Sequence, residues 1–281
     1  MTDPIIELRD LWFRYADRPP ALRGVNLRVE AGAWLAILGC NGSGKTTLIK
    51  HLNGLLRPWR GSVHVAGQDI AGRPIGELAQ TVGYLPQHPD RLLFSATVNE
   101  EIAFGLRQRG LDESAITARV ESILARLGLL PLADLPPAIQ GYGMRRKISL
   151  AAILALQPQI IVLDEPTNAL DAGGARAFLD IVQDYRRAGA TVVMVTHDLD
   201  LAARYASDIA LLSEGELLSA GPMRATLSDA DLLQRAGLPA LPIHRLYDLW
   251  RAAAGESWPL DPLTPEEFAD GWFTAGRTSC S

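Results

Sequence analysis

Two cysteines, Cys40 and Cys280, are too few and too far apart for a disulfide framework or a cysteine-rich metal motif. Their scarcity fits a reducing compartment. Basic residues are in the minority, 27 Lys and Arg against 32 Asp and Glu for a net charge of −5. No positive field is left to collect a phosphate backbone, so nucleic acid is not expected as a partner. Long apolar runs are missing too. The longest, Ile148 to Leu163, is broken by Gln157-Pro158-Gln159 and is too short to span a bilayer. The opening Met-Thr-Asp-Pro lacks the basic-then-apolar pattern of a secretory leader. A cytoplasmic chain that does not itself cross the membrane is expected. Neither an internal repeat nor a low-complexity segment is found.

What is present is ordinary globular composition, 48% apolar and 21% charged over 281 residues. That is enough for one large α/β domain with an appendage. Ile5 to Arg9 and Val25 to Val29 alternate like half-buried strands, whereas Trp34 to Leu38 is continuously apolar and suits a strand covered on both faces. A helix is expected over Thr46 to Leu56, capped near Asn53-Gly54. Short strands are read at Val63 to Val65 and Val82 to Leu85. Residues 95–155 turn mainly helical, with clear helices at Glu113 to Leu127 and Arg145 to Leu156. Strand, helix and strand follow at Ile160 to Leu163, Ala175 to Arg187 and Thr191 to Thr196, then a hairpin around Gly215. This order implies an α/β fold: a mainly parallel sheet with helices on both faces, interrupted by a helical insert. From Pro222 the chain becomes proline-rich and reads as a loosely helical extension, dividing 1–221 from 222–281.

Residues 39–46 read Gly-Cys-Asn-Gly-Ser-Gly-Lys-Thr between a strand and a helix. Glycines in such a loop let successive N–H groups curl around phosphates, with the helix N-terminus aimed at the same charge. Gly39, Asn41, Gly42, Ser43, Gly44, Lys45, Thr46 and Thr47 are assigned to ATP. Lys45 reaches the terminal phosphates, and the Thr46 hydroxyl coordinates Mg²⁺. The apolar strand at 160–163 runs into Asp164-Glu165, which places both carboxylates at the sheet edge where the loop emerges. Asp164 then holds magnesium through water, and Glu165 accepts a proton from the attacking water.

With these motifs in this order, the sequence resembles the ATP-binding cassette (ABC) family over roughly residues 5–220. The resemblance implies a P-loop ATPase fold with an N-terminal antiparallel β subdomain and a helical insert at about 95–155. It also implies several roles. Asp-Glu-Pro-Thr-Asn-Ala-Leu-Asp at 164–171 looks like the second carboxylate motif running into the loop that crosses the dimer interface, with Asp171 as its acid. Gln87 looks like the glutamine that senses magnesium and faces the membrane partner. His197 matches the histidine at the γ-phosphate, and Tyr15 the aromatic ring against adenine. His51, His64, His88 and His244 read as ordinary polar residues.

One motif departs from the family. Where Leu-Ser-Gly-Gly-Gln is expected, the chain has Gln140-Gly141-Tyr142-Gly143-Met144. The serine hydroxyl is gone, Tyr142 adds bulk where close backbone approach is needed, and Met144 replaces the glutamine. The expectation is a heterodimer, in which a second ABC ATPase subunit with an intact motif completes this chain's ATP site.

The stretch from Gln87 to Leu106 resembles energy-coupling-factor ATPases, as does the tail Leu260-Asp-Pro-Leu-Thr-Pro-Glu-Glu-Phe268. Leu92 departs from that group's glutamine. The resemblance implies integral membrane coupling and substrate-binding proteins as partners, at the cytoplasmic face, for vitamin or transition-metal uptake. Two alternatives stay open: a nucleotide-binding regulatory subunit with little turnover, and a soluble non-transport cassette ATPase.

Overall fold

A computed structural model describes residues 3–254 and 262–275. Cys280 and the Leu260-Asp261 start of the tail motif lie outside the described residues. Strands β1 (Ile6–Phe13) and β2 (Leu22–Val29) pair antiparallel, and β1 pairs on its other edge with β4 (Arg60–Val65). The short β5 (Gln68–Asp69) closes this four-stranded sheet, whose order is β2-β1-β4-β5. The second sheet takes β3 (Trp34–Leu38), β6 (Val82–Leu85), β7 (Ile160–Asp164), β8 (Thr191–Val195), β9 (Asp208–Ser213) and β10 (Glu216–Pro222) in the order β10-β9-β3-β8-β7-β6. All its pairings are parallel except the β9–β10 hairpin.

Between the sheets lies α1 (Lys45–Leu52), while α2 (Ile75–Leu78) precedes β6. The insert comprises α3 (Val98–Gln108), α4 (Glu113–Leu127) and α5 (Tyr142–Ala155). Next come α6 (Ala172–Arg187) and α7 (Leu199–Tyr205), and after β10 the helices α8 (Met223–Leu227), α9 (Ala230–Arg235), α10 (Pro242–Ala254) and α11 (Pro265–Ala275).

Strand β3 shows how the layers divide. Trp34, Ala36 and Leu38 point into the core shared with the insert, and Leu35 and Ile37 point into the core shared with α1 and the antiparallel sheet. That is the period of two that a strand imposes. Burying each such large apolar side chain stabilises the fold by about 1.5–3 kcal/mol. Helix limits follow local chemistry. Asp112 caps α4 by accepting from the Ala115 amide, and Gly128 ends it at φ 65°.

Some limits differ from the sequence reading. Strand β1 extends to Phe13, since Trp12 and Phe13 continue a pleat that Asp10 (φ 46°) irregularly bends. Helix α1 stops at Leu52, because Gly54 turns the chain at φ 74°. Helix α5 starts at Tyr142, three residues earlier than expected. The C-terminal region is no loose appendage: Leu227, Leu233, Ala236, Leu241 and Leu263 are completely or almost completely buried in the same core as the insert.

Candidate active site

The phosphate loop leaves β3 and enters α1 as the sequence implies. Close packing requires two of its three glycines, Gly39 and Gly44. A Cβ on Gly39 (φ 147°) would lie 2.1 Å from the Leu212 carbonyl oxygen, and one on Gly44 (φ 104°) 2.7 Å from that of Ala21. No side chain caps α1, so its first amides face outward for an anion. Lys45 is buried and donates to the carbonyls of Gly39 and Cys40, each at 2.8 Å. Burial lowers its pKa from the ordinary lysine value, while Glu165, Cys40 and Asp164 oppose that shift. Ser43 is 1% exposed, and its hydroxyl has no hydrogen-bond partner. A buried hydroxyl without a partner, in a loop whose neighbouring residues line the cleft, leaves hydrogen-bonding capacity that a phosphate oxygen could satisfy.

Strand β7 delivers the carboxylates to this loop. Thr46 Oγ1 donates to Asp164 Oδ1 at 3.1 Å, and the Tyr84 hydroxyl donates to Asp164 Oδ2 at 3.4 Å. Burial raises the Asp164 pKa, and Glu165 adds to this; the Thr46 and Tyr84 hydrogen bonds oppose it. Glu165 follows at φ 49°, a left-handed conformation that is costly for a residue with a Cβ. Its amide donates to the Val195 carbonyl at 2.9 Å, which ties the end of β7 to the end of β8. From β8 the chain reaches His197, whose Nδ1 lies 2.9 Å from Glu165 Oε2. The carboxylate is almost buried and the imidazole is 63% exposed. A carboxylate paired with an imidazole thus lies at the cleft that the phosphate loop lines.

Tyr15, Gln87, Asn41, Lys45, Thr46 and Glu165 line one cleft of about 530 Å³. The Tyr15 ring meets Phe13 edge-on at 4.8 Å, and its hydroxyl is 3.2 Å from Thr47 Oγ1. Another cavity, about 590 Å³, lies at the opposite ends of the strands near Arg119, Arg126 and Tyr185 and contains none of these groups. Asp171 is not in the cleft. It caps α6, accepting from the Gly174 amide at 2.6 Å.

The altered motif forms the start of α5. Gly141 is its N-cap, Tyr142, Gly143 and Met144 make its first turn, and no side chain caps it. A Cβ on Gly143 would approach Leu170 Cδ2 to 3.1 Å, whereas Gly141 has open space around it. Met144 packs against the core, so its side chain does not present a polar group as the glutamine would.

Sequence reasoning overlooked two residues. Tyr84 sits on Asp164, as described. Arg146 is 1% exposed and donates to the carbonyls of Glu165 (2.8 Å) and Gln87 (2.7 Å) and to the Tyr142 hydroxyl (2.8 Å). The only local signal for Arg146 is its i, i+4 spacing from Tyr142, because its other partners lie 59 and 19 residues away.

A family model described as ABC transporter matches residues 22–168. Over 236 residues the chain is 37% identical to the energy-coupling factor transporter ATP-binding protein EcfA of Methanocaldococcus jannaschii, spanning 83% of this chain and 85% of that protein. A putative ABC transporter ATP-binding protein of Streptomyces coelicolor is 40% identical over 236 residues, 83% of each chain. Among solved structures, cbiO1 from Clostridium perfringens, described as part of the ABC transporter complex cbiONQ, superposes with a TM-score of 0.76 at 30% identity. The match covers 89% of this chain and all of that one.

Proposed function

The chain belongs to the ABC transporter family of ATPases, and from that premise we propose that it energises an importer of the energy-coupling-factor type. The observation that carries the chemistry is the convergence of Lys45, Thr46, Asp164, Glu165 and His197 on one sheet edge. Two further observations favour the importer. Relatives at 37% to 39% identity are named energy-coupling factor ATP-binding proteins. In addition, Leu92 and Phe94 expose apolar side chains a few residues beyond Gln87, and the exposed Phe104 packs edge-on against Phe94. Such a patch suits a membrane protein docked on this face. Among the described residues no helix is long and apolar enough to cross a membrane; in this reading the chain attaches to the cytoplasmic face through its membrane partners.

In this reading the loop amides, Ser43 and Lys45 hold the β- and γ-phosphates of ATP, with Tyr15 against the adenine. Thr46 and Asp164 supply hard oxygen ligands only 3.1 Å apart, a donor set that fits magnesium. Magnesium bound there would neutralise charge developing on the phosphate oxygens. Glu165 accepts a proton from a water as that water attacks the γ-phosphorus and the bond to the β-phosphate oxygen breaks. His197 fixes the Glu165 carboxylate, and Gln87 positions the water from the other side of the cleft. Closure needs a second cassette, and the altered 140–144 segment favours a heterodimer in which the partner supplies an intact motif. Imported cargo would be a vitamin or a transition-metal ion, chosen by a separate membrane protein. The regulatory-subunit reading draws on Tyr142 and Met144 but leaves the Glu165–His197 pair without a purpose.

Glu165→Gln keeps the shape and removes the base. The variant should retain ATP, stabilise the closed dimer and lower turnover by about 100-fold or more. Failure both to retain ATP and to dimerise with any partner contradicts the catalytic reading.

A further inference from the structure

Arg146 is the most deeply buried charged side chain near the site, and it touches three segments at once. Its guanidinium reaches the carbonyl of Glu165, the carbonyl of Gln87 and the hydroxyl of Tyr142, all within 2.8 Å. The guanidinium also lies over the Tyr142 ring, 5.2 Å from its centroid. Tyr142 sits one helical turn before Arg146 on α5, so the same helix supplies both the fork and the group that orients it. Its Nε is buried without a hydrogen-bond partner, so the terminal nitrogens hold the position.

This arrangement changes the meaning of the altered motif. Bulk at position 142 looked like an obstacle to the partner's nucleotide. Instead the tyrosine hydroxyl turns inward, toward this chain's own machinery. Glu165 occupies a left-handed conformation, φ 49°, that only its surroundings can maintain. Its amide is held by Val195 and its carbonyl by Arg146. We propose that Arg146, oriented by Tyr142, is a positioning residue that locks Glu165 against His197 and ties it to the Gln87 segment. The altered motif would thereby act in cis on this chain's own hydrolysis. The inference rests on the reading of Glu165 as the base. A lysine cannot replace the arginine, because an ammonium is a point donor and lacks the planar fork that spans separate acceptors.

The test compares Tyr142→Phe, Arg146→Lys and Arg146→Met with wild type and with Glu165→Gln. Turnover is measured in the assembled ATPase complex and hydrogen exchange in the isolated full chain. At saturating ATP, kcat should fall about fivefold in Tyr142→Phe, about tenfold in Arg146→Lys and about 100-fold in Arg146→Met, with KM and ATP affinity within about twofold. Amide exchange across 165–168 should quicken about tenfold in isolated Tyr142→Phe, while the core of α5 keeps its protection. Because no partner is present in that experiment, the effect would be in cis. Unchanged kcat in Arg146→Met overturns the proposal. So does a fall in kcat matched by equal losses of ATP affinity and folding midpoint, which would mark a merely structural role. If Glu165→Gln itself retains full turnover, the base assignment fails. The exchange of 165–168 in Tyr142→Phe then decides the positioning claim alone, and unaltered exchange overturns it.

Discussion

His51 lies wholly inside the protein near the end of α1, its Nδ1 2.8 Å from the Thr47 carbonyl and its ring edge-on to Phe13. Burial lowers its pKa to about 4. An unfolded chain would bind a proton near pH 6.5, so between those values the unfolded state holds more protons than the folded one. Stability is therefore complete above about pH 7 and declines as pH falls toward 4, by up to about 3 kcal/mol. Urea unfolding at pH 7 and at pH 4 should show this loss, and His51→Gln should lose markedly less over the same interval. An equal loss in the variant would assign the acid sensitivity elsewhere. At this scale the sequence was informative where chemistry is local. Lys45, Thr46, Asp164 and Glu165 are recognised by their neighbours in the chain, and the structure places them together. His51 and Arg146 could not be recognised that way. Each is defined by what packs around it, and Arg145-Arg146-Lys147 looks like a solvated basic face until the fold buries its middle member.

Among the elements, α5 carries the most consequence. It begins at Tyr142 because Gly141 adopts φ −59° and ψ 157°, an N-cap geometry that a serine also favours. Nothing lies within 4 Å of a Cβ built there. Gly141→Ser should therefore fold normally, with stability unchanged or raised by a few tenths of a kcal/mol, roughly the gain from a serine cap over glycine. It restores a hydroxyl donor at the helix N-terminus, so turnover at the partner's nucleotide site should rise. Thermal unfolding and steady-state ATPase activity of the assembled pair check both halves. Unaltered turnover would mean that the serine position has no influence here. Helix α4 was more legible than the starts of α5 and α6, since Asp112 is a recognisable cap and Gly128 a recognisable stop. Helix α6 begins at Ala172, three residues before the expected Ala175, because Asp171 caps it. Glycine at a cap carries no such side-chain signal.

Across the whole molecule, the parallel sheet sets the chemistry at one edge and the C-terminal region braces it. Glu266 of α11 bonds Arg204 of α7 and approaches Arg176 of α6 at 3.9 Å, and Glu267 meets Arg224 of α8 at 2.6 Å. These exposed pairs each contribute at most about 1 kcal/mol, so the buried leucines of this region do most of the anchoring. The sequence marked that region by its prolines and missed its leucines, which are scattered too widely to show a helical period. The alternation of strands and helices was legible because each carries its own period. The link between the altered motif and the opposite end of its own site was not, because it exists only after three distant segments meet at Arg146.

In the proposed mechanism this chain's nucleotide site is fully equipped on its own side and lacks only what a second cassette supplies. The direct measurement is steady-state ATP turnover of the purified chain, alone and then mixed with a partner cassette that carries an intact motif. Alone, the chain should bind ATP and hydrolyse it slowly. With the partner, turnover should rise by about tenfold or more, and Glu165→Gln in this chain should abolish that gain. Vigorous hydrolysis by the isolated chain, unchanged when the partner is added, would contradict it.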